Sequence, residues 1–137
     1  LEYASSGRAD EKPIRDQAMA ILETIGFAER ADDLSADLTQ VDLRKLELAR
    51  AMAAKPSLLV SDEAMAGLSS AEIDEILDIL LKLNATGVAV IMIEHIMRAV
   101  MRFSERIVVL DAGKKIAEGS PEEIVSNREV ERAYLGE

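Results

Sequence analysis

Two short apolar segments with an amphipathic segment between them constrain the fold of this chain more than any other feature. The segments LLVSDE (58–63) and VAVIMI (88–93) have the length and apolar character of buried strands. Between them, apolar residues recur at helical spacing after a Ser69–Glu72 capping-box pattern. The residues on that inward face are Ile73, Ile76, Leu77, Leu80 and Leu83. Strand, helix and strand in this order predict an α/β fold, with parallel strands in a sheet covered on both faces.

Two further helices are predicted before the first strand. Pro13 occupies a first-turn position and Gly26 a typical C-terminal position, so we expect a helix between them. Thr39 and Asp42 form a capping-box-like pattern that begins a second helix, and Pro56 stops it.

The last part of the chain is predicted to form a hairpin followed by helices. The segments IVVL (107–110) and KIAE (115–118) flank Gly113, which suits the turn between two antiparallel strands. Ser120 is placed to cap a further helix, and residues 128–135 are predicted as the last one.

Composition excludes several classes of function. The formal net charge of −10 argues against nucleic-acid binding, which depends on clustered Lys and Arg. The chain has no cysteine, so it forms no disulfide and performs no thiol chemistry. Its apolar runs are far shorter than the roughly 20 residues that span a bilayer. At 137 residues it is long enough for one domain with a real core.

Polar residues with catalytic potential follow both predicted parallel strands. Asp62 and Glu63 end the first strand, and His95, the only histidine, follows the second. An Asp-Glu pair at a strand end is ordinarily a solvated junction. Because carboxyl ends of parallel strands share one edge, where open α/β sheets bind ligands, the two ends together favour a site. There a carboxylate can hold Mg²⁺ through water or deprotonate a water, and His95 can sense a phosphate.

The order and spacing of these motifs resemble the C-terminal part of the ATP-binding subunits of ABC transporters, most closely their branched-chain amino acid importer branch. The resemblance is carried by LTQVDLRKLELARAMAAKPSLLVSDEAMAGLSS (38–70), VIMIEH (90–95) and the ending VERAYLGE (130–137). It implies a partial P-loop NTPase (RecA-like, ABC ATPase) core with part of the helical subdomain. The implied division is a flexible arm over 1–11, a helical-subdomain portion with the signature helix over 12–56, and the C-terminal half of the nucleotide-binding core over 57–137.

The resemblance also implies a role for each motif. Asp62 takes the place of the carboxylate that assists Mg²⁺, Glu63 that of the catalytic carboxylate, and His95 that of the switch histidine that contacts the γ-phosphate. The loop that would contact the nucleotide of a partner subunit consists of Leu38, Thr39, Gln40, Val41 and Asp42. The D-loop, which crosses the dimer interface in the family, consists of Ala66, Gly67, Leu68 and Ser69.

The signature-like loop departs from the family pattern Leu-Ser-Gly-Gly-Gln. Gln40 and Val41 replace the two glycines, and Asp42 replaces the final Gln with a negative charge that opposes a nucleotide. Ala64 and Ser69 replace the family's usual Pro and Asp. We therefore expect the carboxylates and histidine to be intact and the contact to the partner's nucleotide to be weakened.

The chain contains no G-x-x-x-x-G-K-[ST] segment, the motif that cradles the β- and γ-phosphates. We therefore expect that motif to lie before Leu1 and this chain to be a C-terminal portion of a longer subunit. ATP and Mg²⁺ are then cofactors of the complete subunit, whereas the chain alone should bind neither tightly and should hydrolyse no ATP.

The resemblance implies a sister ATP-binding subunit and membrane permease subunits as partners. It also implies a cytoplasmic location, peripheral on the inner face of the membrane. Without the strand that carries the missing motif, the strand edges should stay exposed, so we expect the isolated chain to form a homo-oligomer through them.

Two alternatives remain open from the sequence. One is a stand-alone binding or regulatory module that keeps the fold without hydrolysis. The other is a response-regulator-like receiver, which also joins an acidic cluster to a parallel sheet. A receiver needs its acidic pair after the first strand, whereas here the pair follows two helices, and this placement counts against it.

Overall fold

The computed structural model describes residues 11–135, which form six helices, four strands and two short 3₁₀ turns. The helices are α1 (Glu11–Thr24), α2 (Gln40–Ala53), α3 (Ser70–Ala85), α4 (Met97–Phe103), α5 (Pro121–Val125) and α6 (Arg128–Leu135). The strands are β1 (Leu58–Asp62), β2 (Ala89–Ile93), β3 (Ile107–Asp111) and β4 (Lys114–Gly119). The predicted arm over 1–11 lies outside the described residues, except for Glu11, which begins α1.

Three of the helices begin at capping boxes, as the sequence predicts. In each, a hydroxyl accepts the backbone N–H three residues later, and the carboxylate at that later position accepts the N–H of the capping residue. The pairs are Thr39 with Asp42, Ser69 with Glu72, and Ser120 with Glu123. The starts of α2, α3 and α5 are therefore determined by local sequence.

Strands β1 and β2 pair with each other. At one end the N–H of Ala89 donates to the carbonyl of Ser57, and at the other the N–H of Glu63 donates to the carbonyl of Ile93, both at 2.9 Å. The first bond joins the beginnings of the two strands and the second joins their ends, so the strands run parallel. The parallel pair predicted on either side of α3 is therefore confirmed.

Strands β3 and β4 form the predicted antiparallel hairpin, which extends from the Ile107–Gly119 pair to the Asp111–Lys114 pair. Gly113 lies in the turn with a φ of +78°, a conformation that glycine adopts without the steric cost of a side chain. The register shifts between Val109 and Leu110.

The expectation of a sheet covered on both faces is wrong for the described residues. Every second side chain of β1 and β2 is exposed, with Leu58 at 49%, Val60 at 54%, and Ile91 and Ile93 at 50% each. Alternate burial of this kind is the pattern of a sheet with one covered face, whereas a fully apolar strand sequence predicts two.

The chain divides into two compact units. The first comprises the residues up to Leu59 together with Gly67–Ile91, and the second comprises Val60–Ala66 together with the residues from Met92 onward. The predicted boundary at residues 56–57 stays a prediction.

In the first unit, α1 packs against α2 and α2 packs against α3. The predicted inward face of α3 is confirmed, and Ile79 joins it. The apolar residues of this region are buried unequally, since Ile25, directly after α1, is buried while Ile14 within α1 is 67% exposed. Lys45 of α2 is buried and forms an ion pair with Glu75 of α3.

In the second unit, α5 and α6 pack against β4. The buried centre of this packing consists of Ile107, Ala117 and Ile124. Across both units, none of the helices in the described part of the chain is long and apolar enough to cross a membrane.

Candidate functional site

Glu63 lies immediately after β1 in an unusual backbone conformation. Its φ of +44° falls in the left-handed region, which side chains other than glycine seldom occupy. Such a conformation costs on the order of 1–3 kcal/mol and is concentrated at functional sites. The bond from its N–H to the carbonyl of Ile93 holds the backbone there, while its side chain is 65% exposed.

The structure brings Glu63 and His95 together, as the parallel strands predict. The Oε1 atom of Glu63 lies 3.8 Å from Nδ1 of His95. This distance is within ion-pair range for a protonated histidine and too long for a hydrogen bond. Both side chains are about two-thirds exposed, so a ligand can reach both. The carboxylate can accept a proton, and the imidazole can donate a hydrogen bond to an anionic oxygen.

Asp62 ends β1 with an exposed side chain. Within residues 11–135, no group of three or more His, Cys, Asp or Glu side chains is arranged to hold a metal ion. Mg²⁺ does not require such a group, because it commonly keeps its waters and takes one or two carboxylates together with substrate phosphates. The position of Asp62 fits that mode of binding, and its role stays a prediction.

Glu94 is a residue of this region that the sequence analysis missed. Its Oε1 atom accepts the N–H of Met65 at 3.0 Å, and its Oε2 atom is buried without a hydrogen-bond partner in the described part of the chain. Met65 itself is fully buried. The available signal was the position of Glu94 directly before His95 at the end of β2, but only the fold reveals the bond across to Met65.

The signature-like loop is closed, in the sense that the carboxylate of its own residue Asp42 binds the hydrogen-bond donors of Thr39. Oδ2 of Asp42 accepts the N–H of Thr39 at 3.0 Å and the hydroxyl of Thr39 at 2.6 Å, and the Arg30 guanidinium pairs with the same oxygen. Asp42 is only 6% exposed. The N-terminus of α2, a natural site for an anion, therefore already holds one from within the chain.

Asp42 is held ionised by these neighbours. Burial by itself raises the pKa of the Asp42 carboxyl, but the hydrogen bonds from Thr39 and the Arg30 guanidinium outweigh burial and leave the pKa below its ordinary value. Arg30, which also pairs with Asp33, was not among the residues that the sequence predicted for this loop. Arg30 is twelve positions before Asp42 with an irregular segment between, so no spacing pattern connects the two.

The other residues of the signature-like loop and of the D-loop differ in their burial and contacts. Val41 is buried, with 8% of its surface exposed. Gly67 adopts a φ of +79°, and a Cβ atom there would come within 2.9 Å of Nε2 of Gln40. Gln40 and Gly67 thus approach each other closely within the first unit. Leu38 and Leu68 are half-buried, Ala66 is half-buried in the second unit, and Ser69 caps α3.

We expect Asp42→Asn to lower the free energy of unfolding by about 1–2 kcal/mol at neutral pH, because it weakens a capping box and a charged hydrogen bond. A carboxylate with a lowered folded-state pKa stabilises the protein above its unfolded-state pKa of about 3.9, and this contribution is lost as the pH falls through the folded-state value. The difference between wild type and variant should therefore shrink below about pH 4. Urea unfolding at several pH values measures it.

The matched control is Asp33→Asn, which removes the more exposed partner of Arg30. It should change stability less at neutral pH, since exposed ion pairs contribute little. An Asp42→Asn difference that stays constant from neutral pH to about pH 2 would show that the ionised carboxylate is not what stabilises the loop.

Several known proteins are similar to this chain in sequence or in structure. A family described as "Branched-chain amino acid ATP-binding cassette transporter" matches residues 114–137. The high-affinity branched-chain amino acid transport ATP-binding protein LivG of Salmonella typhimurium is 42% identical over 89% of this chain and 48% of its own length. LivG of Escherichia coli is 40% identical over 100% of this chain and 54% of its own. BraF of Pseudomonas aeruginosa is 38% identical over 95% of this chain and 51% of its own.

The predicted resemblance to the ATP-binding subunits of ABC transporters is confirmed. The chain spans about half the length of these relatives and corresponds to the C-terminal part of such a subunit. Solved structures of ABC cassettes agree. The ADP conformation of MJ1267, an ATP-binding cassette of an ABC transporter, matches with a TM-score of 0.86 at 26% identity, over 97% of this chain and 54% of MJ1267.

A second solved structure is cbiO1 from Clostridium perfringens, part of the ABC transporter complex cbiONQ. It matches with a TM-score of 0.80 at 25% identity, over 91% of this chain and 50% of its own. The predicted fold class, a partial P-loop NTPase of the ABC ATPase type, is therefore confirmed, and this favours it over the receiver hypothesis.

Proposed function

We propose that this chain forms the hydrolytic part of the ATP-binding subunit of an ABC importer for branched-chain amino acids or related solutes. The observation that carries the proposal is the approach of Glu63 and His95, 3.8 Å apart at the carboxyl ends of β1 and β2, in a chain whose relatives are named for branched-chain amino acid transport.

Each residue at this edge has a separate task in the proposal. Glu63 accepts a proton from the water that attacks the γ-phosphate, and its exposed carboxylate suits that task. His95 donates a hydrogen bond to the γ-phosphate, and Asp62 would hold Mg²⁺ through a water. Mg²⁺, when bound, neutralises charge that develops on the phosphate oxygens. These 137 residues contain no G-x-x-x-x-G-K-[ST] segment, so we assign no residue of this chain to the cradling of the β- and γ-phosphates.

The signature-like loop, from Leu38 to Asp42, and the D-loop, from Ala66 to Ser69, are proposed to face the sister subunit. The nucleotide contact at the first loop is proposed to be weak. Its support is the occupation of the Thr39 N–H and hydroxyl by Asp42, which leaves these donors with a partner before any nucleotide arrives. The buried Val41 also presents a branched side chain where a glycine would let a phosphate approach the backbone.

ABC ATP-binding subunits work with membrane permease subunits, and cbiO1 is described as part of the ABC transporter complex cbiONQ. We propose the same for this chain: a sister ATP-binding subunit, permease partners, and a position on the cytoplasmic face of the membrane. We also propose that the isolated chain self-associates. The half-exposed Leu58, Val60, Ile91 and Ile93 support this, since apolar surface beside a strand edge favours pairing.

A second candidate function is a stand-alone binding module that keeps the fold and does not hydrolyse ATP. The closed signature-like loop is the observation that favours it, because a loop that takes no nucleotide needs no glycine. The two proposals differ in their dependence on Glu63, which the binding module would not use.

Uptake of labelled leucine by cells tests the proposal. A Glu63→Gln change in the gene should lower uptake at least about tenfold, because transport then lacks the hydrolytic step. Uptake of lysine, a solute of different chemistry, should stay unchanged. The matched control is Glu105→Gln, which makes the same chemical change at an exposed site between α4 and β3. Equal leucine uptake in the two variants would contradict the importer role.

A further inference from the structure

We propose that Glu94 is a positioning residue that ties the turn carrying Glu63 to the strand end carrying His95. The inference rests on the function proposed for Glu63 and His95. Two bonds connect the segments: the N–H of Glu63 donates to the carbonyl of Ile93 at 2.9 Å, and the N–H of Met65 donates to Oε1 of Glu94 at 3.0 Å. The backbone from Glu63 to Met65 is therefore fastened at both ends to consecutive residues that directly precede His95.

The side chains of Glu63 and His95 need these two hydrogen bonds to hold their orientation. Glu63 and His95 are both about two-thirds exposed, so packing around their side chains does little to orient them. Glu63 also holds a left-handed backbone that persists only where its surroundings impose it. The fully buried Met65 anchors the far side of the turn, and the Glu94 carboxylate fixes the backbone N–H of that anchor.

The carboxylate of Glu94 is energetically unfavourable for a purely structural contact. Oε2 of Glu94 is buried without a hydrogen-bond partner in residues 11–135, and burial of an unpaired polar atom is unfavourable. An ionised acceptor forms a stronger bond to a backbone N–H than a neutral one. The geometry therefore gives Glu94 a positioning role. Through the bond from Met65 to Glu94, the position of the turn that carries Glu63 depends on the strand end that carries His95.

Amide hydrogen exchange on the 137-residue chain is the first part of the test. In Glu94→Ala, the Met65 amide should exchange at least about tenfold faster than in wild type, whereas the Leu77 amide in the buried face of α3 should be unaffected. Glu94→Gln keeps an oxygen that can accept this bond, so it should retain most of the protection and also covers the case in which Glu94→Ala does not fold. Unchanged Met65 exchange in Glu94→Ala would overturn the proposal.

Kinetics of the complete ATP-binding subunit are the second part. Glu94→Ala should lower kcat about tenfold or more with little change in KM, Glu94→Gln should recover part of the loss, and Glu105→Gln should match wild type. Faster Met65 exchange without a change in kcat would reduce Glu94 to a structural contact and overturn its positioning role. An inactive wild-type subunit would instead overturn the proposed function, and the exchange experiment separates the two failures because it needs no turnover.

Discussion

The 137-residue chain by itself should bind Mg-ATP with a dissociation constant in the millimolar range or weaker, equivalent to about −4 kcal/mol or less favourable. Tight binding of the β- and γ-phosphates depends on a cradle of backbone N–H groups and a lysine, and the sequence contains no segment of that pattern. The N-terminus of α2 does not replace it, because the Asp42 carboxylate already occupies the Thr39 donors. The net charge of −10 adds general repulsion of an anionic ligand.

Isothermal titration of Mg-ATP into the purified chain measures this affinity. Titration of Asp42→Asn under the same conditions is the informative control, since it removes the charge that occupies the start of α2. We expect both titrations to give no saturable heat at micromolar nucleotide. A micromolar dissociation constant for the wild-type chain would mean that it holds the phosphates without a P-loop, and would favour the stand-alone binding module.

The elements that sequence analysis predicted correctly are those determined by neighbours in the chain. A capping box requires two residues three positions apart, so Ser69 with Glu72 and Ser120 with Glu123 identify the starts of α3 and α5 without reference to the rest of the molecule. The hairpin turn at Gly113 is equally local.

The approach of Glu63 to His95 was also predictable, although the two residues are far apart in sequence. Each follows an apolar strand, and the helix between the strands requires them to run parallel, so both residues come to the same edge. The left-handed backbone of Glu63 was not predictable, because no glycine or asparagine marks the position.

Burial and long-range polar contacts account for what the sequence did not reveal. Val60 and Ile91 are half-exposed, although Val and Ile are also typical of buried strands. Only the packed structure distinguishes the exposed face of β1 and β2 from the covered face. The bonds of Arg30 to Asp42 and of Glu94 to Met65 join residues 12 and 29 positions apart. No periodic pattern encodes such pairs, since each depends on how the intervening chain folds.

The central claim of this account is that Glu63 is the proton acceptor in ATP hydrolysis by the complete subunit. Replacement by Gln keeps the size and hydrogen-bonding shape of the side chain but removes the charge and the ability to take a proton. Loss of a general base of this kind lowers the rate on the order of 10²–10⁴-fold. Nucleotide affinity should be nearly unchanged, because Glu63 is not proposed to bind the phosphates.

Steady-state ATP turnover of the complete subunit, measured beside its affinity for Mg-ATP, is the most direct test of that claim. Glu105→Gln, an equivalent change at an exposed site in the same unit, should leave both quantities at their wild-type values. We expect Glu63→Gln to lower kcat at least about 100-fold with wild-type nucleotide affinity. A Glu63→Gln subunit that retains wild-type turnover would contradict it.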